Sequence, residues 1–130
     1  MLEPRPLKVL VVEDQLGLAT STADILRLEG HEVQMAADGL GALDAAKAQE
    51  PDVVLLDIGL PTMDGFEVAR RLKASSASKL YIIAVTAYDS EADRRRGAEA
   101  GIDLHLAKPA HPELLVRILR DRHIGLTGST

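Results

Sequence analysis

DVVLLDIGLPTMDGFEVARRL, residues 52–72, is the stretch on which the fold turns. Val53–Leu56 is an unbroken aliphatic run, which is how a strand covered on both faces reads. Asp57 ends the run. Further on, Asp64 with Glu67 three residues later gives a capping-box-like start to a helical stretch. Strand, acidic strand end and helix make one β-α unit.

Working outward, the same unit recurs. Lys8–Val12 and Tyr81–Val85 are also nearly continuous in β-branched and aliphatic residues, while His31–Met35 is mixed, as an edge strand would be, and Leu104–Ala107 closes the series. Helix-length segments lie between. Leu18, Thr22, Ile25 and Leu26 share a face of the first, with Gly30 as its C-terminal stop. Asp38 can cap the second, and Ser90 with Asp93 the fourth, which stops at Gly101. Pro112 suits the first turn of the last, where Leu114, Leu115, Ile118 and Leu119 form a stripe. Strands separated by helices predict an α/β fold, a parallel sheet with right-handed crossovers and helices on both faces.

Composition agrees. The 130 residues suffice for one domain, and 46% hydrophobic content with only three aromatics (Phe66, Tyr81, Tyr88) implies an aliphatic core. A net charge of −5 argues against a general affinity for nucleic acid. The chain has no cysteine, which excludes thiolate and disulfide chemistry and fits a reducing cytoplasm. No apolar run approaches the ~18 residues of a membrane span, and the start of the chain lacks the apolar centre of a signal peptide. Residues 1–6 read as a flexible lead, 7–124 as the domain and 125–130 as a flexible tail or cut linker.

Polar residues follow the apolar runs. Glu13-Asp14 follow the first, Asp57 the third, Thr86 the fourth and Lys108-Pro109 the fifth. In a parallel α/β sheet the carboxyl ends of the strands share one crevice. Each residue singly has a plain structural reading: a solvated turn, a cap, a strand-ending threonine, a surface lysine. Together they bring three carboxylates, a hydroxyl and an ammonium to one place. Clustered carboxylates repel unless a cation intervenes, and hard oxygen ligands suit Mg²⁺. Carboxylate nucleophile, metal, lysine and hydroxyl make a phosphoryl-transfer site.

At these residues the chain resembles the receiver domain of two-component response regulators. The resemblance runs from Lys8 to His123 and rests on VLVVEDQ, LLDIGLPTMDGFEVAR (55–70), VTAY from Val85 and AKP from Ala107. It implies a (βα)5 flavodoxin-like doubly wound sheet of strand order 2-1-3-4-5. Asp57 is then the phosphoacceptor. Asp14 and Asp57 hold Mg²⁺ (Mn²⁺ as a substitute), with Glu13 acting through water and the Gly59 carbonyl as a further ligand. Thr86 and Lys108 bind phosphoryl oxygens, and the Lys108–Pro109 peptide is cis. The donor is a phosphohistidine on a sensor histidine kinase or a histidine phosphotransfer protein, and output passes through the β4-α4-β5-α5 face. The chain catalyses only its own phosphorylation and dephosphorylation. Similarity in residues 57–72 and the Thr-Ala-Tyr loop leans toward a receiver attached to a hybrid histidine kinase. The module would be a monomer or weak homodimer, with no direct contact to nucleic acid or membrane.

Departures from the pattern carry further expectations. His105 stands where the family has its switch aromatic, so Thr86–His105 coupling is expected to be weaker or pH-sensitive. Gly59 and Tyr88 flank the pocket without a charge or amide to position water. Tyr88 would shield the acyl phosphate and slow its loss. The fourth helix reads as a solvated face with Glu91–Arg95 and Arg95–Glu99 pairs. His31, His111 and His123 read as surface residues, and Met35 as core or edge packing. Rival readings fit less well. A haloacid-dehalogenase-like phosphatase needs a second acid where Gly59 stands, and in a flavodoxin-like cofactor binder Glu13-Asp14 would repel the phosphate. A third is a receiver-like interaction module or phosphate sink with weak output.

Overall fold

Strands and helices alternate strictly along the chain: β1 Lys8–Val12, α1 Leu16–Leu28, β2 Glu32–Ala36, α2 Gly39–Gln49, β3 Val53–Leu56, α3 Gly65–Ser75, β4 Tyr81–Thr86, α4 Glu91–Ala100, β5 Leu104–Ala107 and α5 Pro112–Leu126. The structure, a computed structural model, describes residues 6–75 and 80–126, with side chains to residue 121. α5 therefore takes in Gly125 and Leu126, two residues of the expected tail, while 1–5 and 127–130 lie outside the described residues.

The five strands form one parallel sheet in the order β2-β1-β3-β4-β5. Alternation along the central strands divides the core into two. Leu10, Val12, Val54, Leu56, Ile82 and Ala84 pack toward Ala42, Phe66, Val68, Leu72 and Ala100 of α2, α3 and α4. Val9, Val11, Val53, Leu55 and Ile83 pack toward Ala19, Ala23 and Leu26 of α1 and Leu115 and Leu119 of α5. The sheet is thus doubly wound, and both faces of β1 and β3 are dry, which is why those runs do not alternate.

Local chemistry sets the helix ends. Asp38 accepts from Gly41 N at 2.7 Å, and Ser90 and Asp93 form a reciprocal capping box at 3.0 and 3.2 Å. Gly30 and Gly101 take φ of +96° and +98° behind α1 and α4, the left-handed turn a β-carbon disfavours. At α3 the expectation is half met. Asp64 accepts from Phe66 N at 3.0 Å, but Glu67 turns to Arg70 and Arg71 and does not close the box. Hydrogen bonds from Arg71 and Arg70 hold the exposed Glu67 carboxyl below its usual range.

Other expectations need correction. The buried face of α1 is Ala19, Ala23 and Leu26, and Leu18 is exposed; in α5 Leu115 and Leu119 are buried and Leu114 is exposed. His31 is buried, not superficial, because the chain turns at Gly30 and His31 N donates to Leu26 O at 3.2 Å as it enters the sheet. Met35 is exposed on the edge strand. In α4 Glu91–Arg95 pairs at 3.6 Å, but among the described residues Glu99 is not paired with Arg95. Arg94 instead meets Asp89, and Arg96 meets Asp64 and lies over the Phe66 ring at 4.2 Å.

Candidate functional site

The ladders continue one residue past the strands, and that continuation places the site. Glu13 N donates to Ala36 O and Asp57 N to Val12 O, both at 3.0 Å, and Lys108 N donates to Thr86 O at 3.0 Å. Glu13, Asp57, Thr86 and Lys108 are thereby held at one end of the sheet by main-chain bonds, which side-chain chemistry does not disturb.

Oxygens of Glu13, Asp14 and Asp57 all lie within 4.8 Å of one another. Glu13 and Asp57 are buried and Asp14 is open to solvent. Lys108 reaches across, with Nζ 2.9 Å from Glu13 Oε1 and 3.2 Å from Asp57 Oδ2. The other Asp57 oxygen accepts from Gly59 N at 3.0 Å, and the other Glu13 oxygen from Gln15 N at 3.1 Å. Burial works to lower the Lys108 pKa, but hydrogen bonds to Glu13 and Asp57 more than offset it and raise it above 10.5. Lys108 is therefore a fixed positive charge at neutral pH. One ammonium against three carboxylates leaves the cluster negative, and its donors are hard oxygens. That donor set fits a divalent cation of the Mg²⁺ type.

Thr86 is fully buried, and its Oγ1 accepts from Tyr88 N at 3.0 Å. A hydroxyl that accepts there still has its own proton to donate. The Lys108–Pro109 peptide is cis, as expected. Every residue read from the sequence as a strand-end group thus lies at one end of the sheet.

Three features go beyond the sequence reading, which had placed Gly59 and Tyr88 beside the pocket without their contact. The Tyr88 ring lies over Gly59, where a β-carbon would stand 3.0 Å from Cε2. His105 Nε2 is 2.8 Å from the Tyr88 carbonyl oxygen, so the residue three before the lysine is tied to the pocket rim. A cavity of 290 Å³ opens beside Asp57 and Lys108, lined by Leu18 and Thr22 of α1 and by Pro109 and Leu115. That Gly59 and Tyr88 flank the pocket was read from their matching offsets after Asp57 and Thr86. The other two depend on how the helices lie.

Residues 9–120 match the family model described as the response regulator receiver domain. The response regulator MprA of Mycobacterium sp. (strain KMS) is 41% identical over 114 residues, 87% of this chain and 49% of that protein. The transcriptional regulatory protein CreB of Escherichia coli (strain K12) is 41% identical over 111 residues, 85% and 48% of the two chains. The chain spans about half the length of the curated relatives it matches. Among solved structures, a CheY-like receiver domain protein from Methanospirillum hungatei JF-1 aligns with a TM-score of 0.85 at 29% identity, over 92% of this chain and 95% of that one. The receiver domain of sensor histidine kinase PA1611 from Pseudomonas aeruginosa PAO1, solved with a magnesium ion in its active-site cleft, aligns at 0.80 with 36% identity, over 92% and 98%. Strand order, the acidic strand ends and these matches agree: this chain belongs to the response regulator receiver domain family of two-component systems.

Proposed function

We propose that the chain is a phosphorylatable switch in which Asp57 accepts a phosphoryl group from a phosphohistidine on a sensor histidine kinase or a histidine phosphotransfer protein. An Asp57 carboxylate oxygen bonds to phosphorus as the P–N bond of the donor breaks, and the imidazole leaves with the bond's electron pair. The observation that carries this reading is the close cluster of Glu13, Asp14 and Asp57 with Lys108 bridging two of them.

Asp14 and Asp57 would hold Mg²⁺, with Glu13 through water and the Gly59 carbonyl as a further ligand; Mn²⁺ would substitute. The ion supplies charge neutralisation for the transferring group. The chain's own groups do the rest. Lys108 moves from Asp57 Oδ2 to a phosphoryl oxygen, keeping a charge that its surroundings stabilise. Thr86 donates its hydroxyl proton to a second phosphoryl oxygen while still accepting from Tyr88 N. Tyr88, over Gly59, limits the approach of water, so the acyl phosphate is long-lived. The module acts in the cytoplasm, as a monomer or weak homodimer, and passes its state through the β4-α4-β5-α5 face. The working unit begins at residue 7 and takes in α5 to Leu126, two residues beyond the expected boundary at 124, and similarity in residues 57–72 leans toward a receiver attached to a hybrid histidine kinase.

Intact mass after incubation with acetyl phosphate and Mg²⁺ tests this. The expected result is one added phosphoryl group, dependent on Mg²⁺ and absent in Asp57→Asn. Tyr88→Ala should then lose the group faster than wild type. No mass gain at saturating donor, with beryllofluoride also failing to bind, would overturn the reading in favour of an interaction module.

A further inference from the structure

His105 sits on β5 beside Ala84 of β4, and its side chain is only 7% exposed. The partner of Nε2 is a carbonyl oxygen, which can only accept, so the ring proton belongs on Nε2. Nδ1 is buried and has no hydrogen-bond partner. It faces α4 at Gly97, where a β-carbon would stand 3.3 Å away, with Ile102 packed against the same spot. Gly97 thus makes room for the ring in a helix that otherwise has little reason to contain a glycine.

The charged groups facing the ring are Asp89 and, through it, Arg94. Asp89 Oδ1 is 4.0 Å from Nε2 and 2.6 Å from Arg94 Nη2 of α4, an ion pair in which that buried oxygen still accepts no well-directed hydrogen bond. Gly97 and Ile102 offer nothing polar on their side chains, and Ala84 on β4 none either. A second ring proton would therefore sit on Nδ1, buried and without an acceptor; the Nε2–H bond to the Tyr88 carbonyl survives that protonation, so it is broken only when the charged ring leaves its pocket for water.

We propose that His105 is a proton-sensitive latch: the neutral ring holds Tyr88 over Gly59, and a second proton releases it. Both main-chain groups of Tyr88 are pinned, its N–H to Thr86 Oγ1 and its carbonyl by His105. The pinned ring shares the space above Gly59 with Asp57 Oδ1, which lies 3.7 Å from the same β-carbon position. Releasing the carbonyl frees the ring to leave that space and opens a path for water to Asp57. The consequence for the acyl phosphate rests on the proposed function; the latch itself does not.

The test follows the Tyr88 amide and the His105 ring by NMR in the whole ¹⁵N-labelled chain between about pH 5 and 8, the range in which histidines change charge. In wild type both should shift with one midpoint. His105→Gln keeps a donor for the Tyr88 carbonyl without titrating, so its Tyr88 amide should stay at the neutral-pH position throughout. In His105→Ala it should stay at a displaced position throughout. The latch is overturned if the wild-type Tyr88 amide stands still while His105 titrates, or if it titrates alike in either variant. Should the Gln variant not fold, the Ala variant decides alone, since its Tyr88 amide must be independent of pH. As a second readout, the ratio of wild-type to His105→Gln dephosphorylation rates should rise as pH falls through that midpoint. A chain that takes no phosphoryl group bears on the proposed function and leaves the NMR outcome intact.

Discussion

Lys108 approaches Glu13 and Asp57 at 2.9 and 3.2 Å, in the position from which a cation bound to the same carboxylates would be repelled. Lys108→Met removes that competing charge while keeping a side chain of similar length. Its affinity for Mg²⁺ should therefore rise, by on the order of 1 kcal/mol or about fivefold, as read by calorimetric titration, even though phosphoryl-dependent responses are lost. Unchanged or weaker Mg²⁺ binding would sink the idea that the ion and the ammonium share these carboxylates. The pH sign follows from the raised pKa. The contribution of this ion pair to stability is complete below 10.5 and is lost only as pH rises through the higher folded value. Across the neutral range Lys108 adds no pH dependence. At this scale the site was legible because each functional residue directly follows an apolar run, and a run announces itself. His31 was not, because its burial is decided by where α1 ends and the chain turns, and nothing in its own identity reports that.

Among the elements, α3 carries the loop that follows Asp57, and its start is fixed by a close approach. A β-carbon on Gly65 would fall 2.5 Å from Ile58 Cα and 2.7 Å from Ile58 O, both backbone atoms that cannot swing aside. Gly65→Ala should lower stability by about 1–3 kcal/mol and weaken Mg²⁺ binding as well, because the displaced segment contains Gly59. Urea unfolding at constant slope measures the first and calorimetry the second. Arg71→Ala, on the exposed face of the same helix, should stay within about 0.5 kcal/mol of wild type. Helix positions were legible from their caps: Asp38, Ser90 with Asp93, Gly101 and Pro112 all stand where those residue types predict. Which flank of a helix meets the sheet was less so. A helical stripe spans about a third of the circumference, and small residues such as Ala19 and Ala23 are drawn innermost because the helix packs closest there. Leu18 and Leu114 of the expected stripes are left exposed at the edge, Leu18 lining the cavity next to Lys108.

For the molecule as a whole, the order of the strands was legible only through family resemblance. Periodicity shows that β-α units alternate, but any of several right-handed orders would satisfy it. What the order achieves is to set β1 and β3 side by side, so that Glu13 and Asp57 leave the sheet as neighbours while Lys108 arrives from the far edge. Three acidic groups gathered this way make the folded state a better cation ligand than the unfolded chain, where Asp57 is 43 residues or more from the Glu13-Asp14 pair in sequence. Binding must then stabilise the whole fold by mass action. At 100 times the dissociation constant the gain is about 2.7 kcal/mol, and a domain of this size should melt roughly 10 °C higher. Thermal scans in Mg²⁺ and in NaCl of equal ionic strength separate this from screening of the acidic surface. Asp57→Asn should lose most of the Mg²⁺-specific rise and keep whatever NaCl also produces. If Asp57→Asn rises with Mg²⁺ as much as wild type does, the stabilising ion is bound elsewhere on the surface, and the carboxylate cluster is not the centre through which this fold senses its ligand.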